Sequence, residues 1–260
     1  MALVTIDGNE YHYRISKRGI DKEHAVVCLH GAGADGLVWG YQISRLSKHF
    51  KIIVPDLPGH GRSGGKPLTS VKKYSAWFDQ FTTALGLSSF FVIGHSFGGA
   101  IVQEYARAHS DKIRGLVLVG TSTVFRLSRM YRKLYEKGID LLAEDAIDNI
   151  SSCGMDVPDS FKRGLAMLRE MGNDALQADL LAAGLFDSSD WISSIKQPVL
   201  IIWGADDVIT ARDLPEEMNQ RLPGSELCII PKAGHVVMID RRNAFNEAVK
   251  DFIDKLSALP

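Results

Sequence analysis

The chain has 260 residues, 45% of them hydrophobic and 23% charged, the make-up of a globular protein large enough to bury one sizeable core. Its 30 Lys and Arg against 31 Asp and Glu leave a net charge of -1, which excludes the dense positive surface of a nucleic-acid binder or a polybasic membrane anchor. No apolar run approaches the roughly 20 residues of a membrane span, Met1 to Glu10 has no apolar signal-peptide stretch, and Cys28, Cys153 and Cys228 follow neither disulfide nor zinc spacing, so a reducing cytoplasm is the expected compartment.

Leu3 to Ile6 and Tyr11 to Ile15, split by Asp7-Gly8-Asn9, have the pattern of an antiparallel hairpin at a sheet edge. Ala25 to Leu29 is a continuous apolar run, expected to be a strand buried on both faces, and ends at the flexible His30-Gly31-Ala32-Gly33. A helix is expected over Leu37 to Leu46 and another strand over Lys51 to Val54, followed by the turn-rich Pro55 to Gly65. The next helix runs from Val71 to Leu85 with Gly86 closing it. A strand over Phe90 to Ile93, a helix through Ala108 and a strand over Ile113 to Val119 complete the first half. Strand and helix alternate throughout, which implies a mostly parallel sheet covered on both faces.

From about Thr121 to Ile195 the alternation stops. Leu127, Met130, Tyr131, Leu134 and Leu141 recur at helical spacing, with Arg126, Arg129, Arg132, Lys133 and Lys137 mostly on the other side. The organisation expected is a core of residues 1–121 and 196–260 with a helical cap insertion over 122–195. Alternation resumes with a strand at Val199 to Trp203, a helix at Ala211 to Leu222 with Thr210 as its N-cap, a strand at Glu226 to Ile230 and a last helix from about Arg241 to Leu256. The sheet should therefore have eight strands.

Chemistry concentrates at Gly94-His95-Ser96-Phe97-Gly98, where an apolar strand meets an apolar helix. The Gly-x-Ser-x-Gly spacing at such a junction holds a serine on a sharp bend, and the glycines are needed because two backbones pass close together. A serine nucleophile needs a base, and histidine titrates in the right range. Of His12, His24, His30, His49, His60, His95, His109 and His235, only His109 and His235 follow Ser96, as the strand-turn-helix architecture requires. His109 lies at the far end of the helix leaving Ser96, which leaves His235, directly after the last strand. A carboxylate should orient it, and Gly204-Ala205-Asp206-Asp207 offers two that chemistry alone does not rank. Backbone N–H donors for an oxyanion are expected from Phe97 and from the glycine-rich loop at residues 30–33. That loop lacks the lysine of a phosphate-binding loop, which argues against a nucleotide site.

The set His30-Gly31-x-Gly33, Pro55 to Ser63, Gly94 to Gly99, Gly204-x-x-Asp207 and Gly234-His235, in this order, resembles the α/β-hydrolase fold superfamily and its capped, esterase-like branch. The resemblance implies an α/β fold with a mostly parallel sheet, Asp207 as the orienting acid, and Ala32 as the second oxyanion donor beside Phe97. It implies a serine hydrolase cleaving carboxylic esters of small to medium acyl or aryl groups, with no metal or cofactor. Carboxylesterases, enol-lactonases and carbon–carbon bond hydrolases share these features, and a ligand receptor on a hydrolase scaffold is the alternative from another class. The expected partner is a small-molecule ester, with no nucleic acid and no membrane, and a homodimer is compatible with the composition. The aromatic content of the insertion suggests an apolar pocket, to which Phe125, Met130 and Trp191 are expected to contribute, plain core packing being the other reading.

Overall fold

Because successive side chains on a strand point to opposite faces, an apolar run buried throughout must be covered on both sides. The computed structural model of the protein describes residues 2–125, 173–207, 209–210 and 213–258, together with Lys162. Its strands are β1 (Ala2–Ile6), β2 (Asn9–Ile15), β3 (Ala25–Leu29), β4 (Lys51–Pro55), β5 (Phe90–His95), β6 (Ile113–Val119), β7 (Val199–Gly204) and β8 (Glu226–Ile230). They form one eight-stranded sheet in the order β1-β2-β4-β3-β5-β6-β7-β8, antiparallel at the β1–β2 hairpin and at β2–β4 and parallel elsewhere.

The central runs split by alternation into two cores. Val27, Leu29, Val92, Leu116 and Ile201 face one way, onto α2 (Val71–Ala84) and α3 (Phe97–Ala108). Val26, Cys28, Phe91, Ile93, Val117 and Ile202 face the other, where Trp39, Leu46, Phe245, Val249 and Phe252 pack. The Cys28 and Cys228 thiols are free, the first fully buried in β3 and the second half-buried in the edge strand β8. Register then places the site: Leu29 pairs with Gly94, His95 with Val119, Val119 with Ile202, and Gly204 with Ile230. The carboxyl ends of β3, β5, β6, β7 and β8 therefore lie along one rim, and the loops leaving them meet there.

Two helices depart from the sequence expectation. Over Leu37 to Leu46 the chain first makes a 3₁₀ turn, Gly36–Trp39, and only then α1, Gly40–Leu46. Asp35 causes this by accepting the Leu37 N–H, which tightens the start. Between β6 and β7 the described helix is α4, Asn173–Gly184, but Val124 also makes an isolated bridge with Asp187, a strand-like contact not expected there. The helix after β7 is α5, Leu214–Arg221, preceded by Asp213, so Thr210 is not its cap. The last helix, expected from about Arg241 to Leu256, is α7, Arg242–Ser257, and a short helix α6, Val237–Asp240, precedes it across the non-helical Arg241.

Candidate active site

Ser96 joins β5 to α3 at φ 51 and ψ -117, a backbone conformation that side-chain-bearing residues rarely adopt. Such a residue costs about 1–3 kcal/mol and persists only where its surroundings over-determine it. Here the Ser96 N–H donates to Val119 O at 2.8 Å and its carbonyl accepts from Gly99 at 2.9 Å. The flanking glycines are required by contact: a Cβ on Gly94 would stand 2.5 Å from Gly98 O, and one on Gly98 would stand 2.6 Å from His30 O. One side of the bend is thus pressed onto the His30 loop, and a Cβ on Gly31 would lie 3.2 Å from Ser96 Cβ.

His235 Nδ1 donates to Asp207 Oδ2 at 2.8 Å, which leaves Nε2 free to face a hydroxyl. Asp207 is 3% exposed and accepts three further bonds, from Ile209 N and Thr210 N to Oδ1 and from Thr210 Oγ1 to Oδ2. Burial alone would push its carboxyl up, but the His235 charge and the bonds from His235 and Thr210 together outweigh burial and hold it below the usual carboxylate range. Its neighbour Asp206 is exposed and bonds through its backbone to Ala233, so of the two carboxylates it is Asp207 that meets the imidazole.

His95 seats His235 on the elbow. The two rings stand 4.8 Å apart, and His95 Nε2 donates to the His235 carbonyl at 3.0 Å. Burial and the nearby His235 charge lower the His95 imidazole to about 3, so it is neutral. Its Nδ1 is buried against Gly31 and has no partner among the described residues. His30 is fixed in the complementary way: Nε2 accepts the Leu57 N–H at 3.0 Å and Nδ1 donates to Gly31 O. Burial, then the His60 charge, lower it to about 4.

The two expected oxyanion donors are Phe97 and Ala32. Phe97 is the first residue of α3, where an amide has no partner within the helix. Ala32 lies in the turn that packs Gly31 against Ser96. Phe125 is buried and packs on Phe186 at 6.3 Å between centroids, and Phe186 in turn meets Trp191. Trp191 sits under Arg107, at the opposite end of α3 from Ser96, so the structure does not bring it to the serine. Met130 and the basic stripe of Arg126, Arg129, Arg132, Lys133 and Lys137 lie outside the described residues.

Three contributors went unforeseen. Thr210 holds Asp207. Gln103 of α3 ties down both ends of the segment joining β6 to β7, donating to Ser122 O at 3.1 Å and accepting from Ser188 Oγ at 2.7 Å. Asp179 of α4 accepts the Gly33 N–H at 3.0 Å. The one signal for Asp179 in the sequence is a lone carboxylate in the apolar run Ala178-Asp179-Leu180-Leu181-Ala182-Ala183, where burial demands partners.

A family model described as the alpha/beta hydrolase fold matches residues 24–242. The chain belongs to the α/β-hydrolase family. The family resemblance and the fold class inferred from the motifs hold. Among relatives of this α/β-hydrolase, the pimeloyl-(acyl-carrier protein) methyl ester esterase of Vibrio vulnificus is 23% identical over 261 residues, covering 95% of this chain and 99% of that protein. The enol-lactonase from Burkholderia xenovorans superposes with a TM-score of 0.82 at 24% identity, covering 97% of this chain and all of that one (100%). A thermophilic esterase from Thermogutta terrifontis superposes at 0.81 and 22% identity, covering 98% and 97%. Among the described residues of the α/β-hydrolase no helix is long and apolar enough to cross a membrane.

Proposed function

We propose that the protein is a serine hydrolase of carboxylic esters with small to medium acyl or aryl groups. The observation that carries this reading is the 2.8 Å bond from His235 Nδ1 to a buried, ionised Asp207, on the rim where Ser96 is held at a strained bend. In this scheme Ser96 Oγ attacks the ester carbonyl while His235 Nε2 takes its proton, and Asp207 stabilises the imidazolium. The N–H groups of Ala32 and Phe97 hold the oxyanion. The imidazolium returns the proton to the departing alcohol oxygen, leaving an acyl-Ser96. Water, deprotonated by His235, then attacks the acyl carbon and releases the acid and free serine. The segment between β6 and β7 acts as the cap that selects substrates, and cytoplasmic action on a small molecule is the accompanying expectation.

Relatives named as methyl ester esterases support an ester as substrate. An enol-lactone is the same functional group closed into a ring, and the enol-lactonase neighbour makes it the second substrate to test. The deciding measurement is turnover of p-nitrophenyl acetate and butyrate by the wild type and by Ser96→Ala. The variant is expected to lose at least about 10⁴-fold in kcat, since without the nucleophile only background stabilisation remains. Ester turnover that survives in Ser96→Ala sinks the assignment.

A further inference from the structure

Asp179, in the middle of α4, is fully buried and has no part in the acyl-transfer scheme. Donors from three distant parts of the chain converge on it. The Tyr74 hydroxyl donates to Oδ1 at 2.7 Å, and the His60 ring and the Gly33 N–H both donate to Oδ2, at 2.8 and 3.0 Å. His60 Nδ1 faces the Pro58 carbonyl at 2.9 Å, which can only accept, so Nδ1 carries a proton. Its Nε2 faces Asp179 Oδ2, the oxygen that also accepts the Gly33 N–H. Burial works against the His60 charge, but Asp179, with the Pro58 carbonyl and Asp56, outweighs it and raises the imidazole above its usual range. Tyr74 Oη already accepts the Leu68 N–H, which directs its own proton at Asp179.

The Gly33 contact gives this cluster its meaning. Ala34 N–H bonds Gly31 O at 3.2 Å, closing a turn over residues 31–34 in which Gly33, at the third position, has φ 58. The central peptide of such a turn can face either of two ways, and positive φ at the third residue belongs to only one of them. Asp179 holds the Gly33 N–H in that orientation, in the same turn that presses Gly31 against Ser96 and carries the Ala32 amide.

We propose that Asp179 is a positioning residue through which helix α4, part of the segment between β6 and β7, sets the geometry of the oxyanion loop. The inference rests on the ester-hydrolase reading above. It means that seating α4 and completing the oxyanion site are one event. Loss of the Asp179 contact then lowers turnover and leaves ground-state binding nearly intact, because the Ala32 amide acts on charge that develops only in the transition state.

The test compares Asp179→Ala, Asp179→Asn and Asp179→Glu with the wild type on p-nitrophenyl acetate, with rates expressed per Ser96 titrated by a fluorophosphonate. Asp179→Ala is expected to lower kcat by about 10- to 100-fold, as for a displaced oxyanion donor, with KM changed less than about threefold. Its affinity for phenyl trifluoromethyl ketone, whose serine adduct carries the oxyanion, falls by the same factor. Asp179→Asn keeps an acceptor for Gly33 and is expected to stay within about fivefold in kcat. Asp179→Glu moves the acceptor by one methylene and should show the alanine phenotype, which keeps the test alive if the alanine variant does not fold. The proposal is overturned if the folded Ala or Glu variant, per titrated serine, matches the wild type within about twofold in both kcat and ketone affinity. A wild type that neither labels at Ser96 nor turns over esters would instead overturn the ester-hydrolase reading itself.

Discussion

Thr210 shows how much a single hydroxyl can carry at this site. It donates to the same Asp207 oxygen that accepts the His235 Nδ1–H, and its N–H serves the other oxygen. Replacing it by valine keeps the shape and leaves a buried carboxylate one donor short. A bond to a charged group is worth about 1.5–3 kcal/mol, so Thr210→Val should lower the urea midpoint accordingly and slow fluorophosphonate labelling of Ser96. Stability and labelling both equal to the wild type would show that Asp207 is held without it. In the sequence Thr210 stands ahead of a helical run and has the pattern of an N-cap, and only the fold shows that it serves a carboxylate three residues back instead. Ser96, His235 and the pair Asp206-Asp207 were legible because each stands at the end of a strand whose apolar run is unmistakable. Asp179 stood out only as a lone carboxylate in an apolar run, and its partners, 105 to 146 residues away, could not be read.

At the scale of elements, α3 is both the base of the nucleophile and the anchor of the segment between β6 and β7. Its Gln103 is fully buried and spans Ser122, just after β6, and Ser188, close to β7. Gln103→Leu fills the same space and strands the Ser122 carbonyl in the interior. Each orphaned buried polar group costs about 1–3 kcal/mol, and a drop of that size in urea-unfolding free energy, with an unchanged m-value, is the expected result. A neutral substitution would mean that water or rearrangement replaces the glutamine. Strand positions were readable from continuous apolar runs and glycine punctuation, whereas their register came only with the fold. Helix starts were less readable, because they turn on which of several small polar residues the backbone uses. Asp35 tightens the chain after β3 into a 3₁₀ turn, and the helix after β7 starts at Leu214, behind Asp213, where the sequence suggested Ala211 behind Thr210.

Taken whole, the molecule keeps two histidines neutral inside its core. His30 faces His60, Asp56 and Asp179, and His95 faces His235, Asp207 and His30. Both have imidazoles lowered by burial first, to about 4 and about 3. A group depressed in the folded state favours folding above its unfolded pKa near 6.5, and that contribution is lost as pH falls toward the folded value. Between about pH 6 and pH 4.5 the unfolded chain therefore binds nearly two more protons than the folded one, and stability should fall by about 2–3 kcal/mol per pH unit. His60, raised rather than lowered, is charged in both states across this window and adds nothing. Urea midpoints measured through it should show that slope, and His95→Asn should roughly halve it. A flat profile would mean that the rings are charged in the folded protein.

The burial of Cys28 at the centre of the sheet gives the molecule an internal clock. Its thiol has no exposure and is pushed far up by burial, so no thiolate is available to an alkylating agent while the sheet is closed. Cys228, half-buried on the last strand, needs only fraying of an edge. Iodoacetamide labelling read peptide by peptide should modify Cys228 before Cys28, and Cys28 should follow the urea dependence of global unfolding. The gap between the two rates then measures how much less the edge of the sheet resists opening than its centre, without any probe being added to the chain.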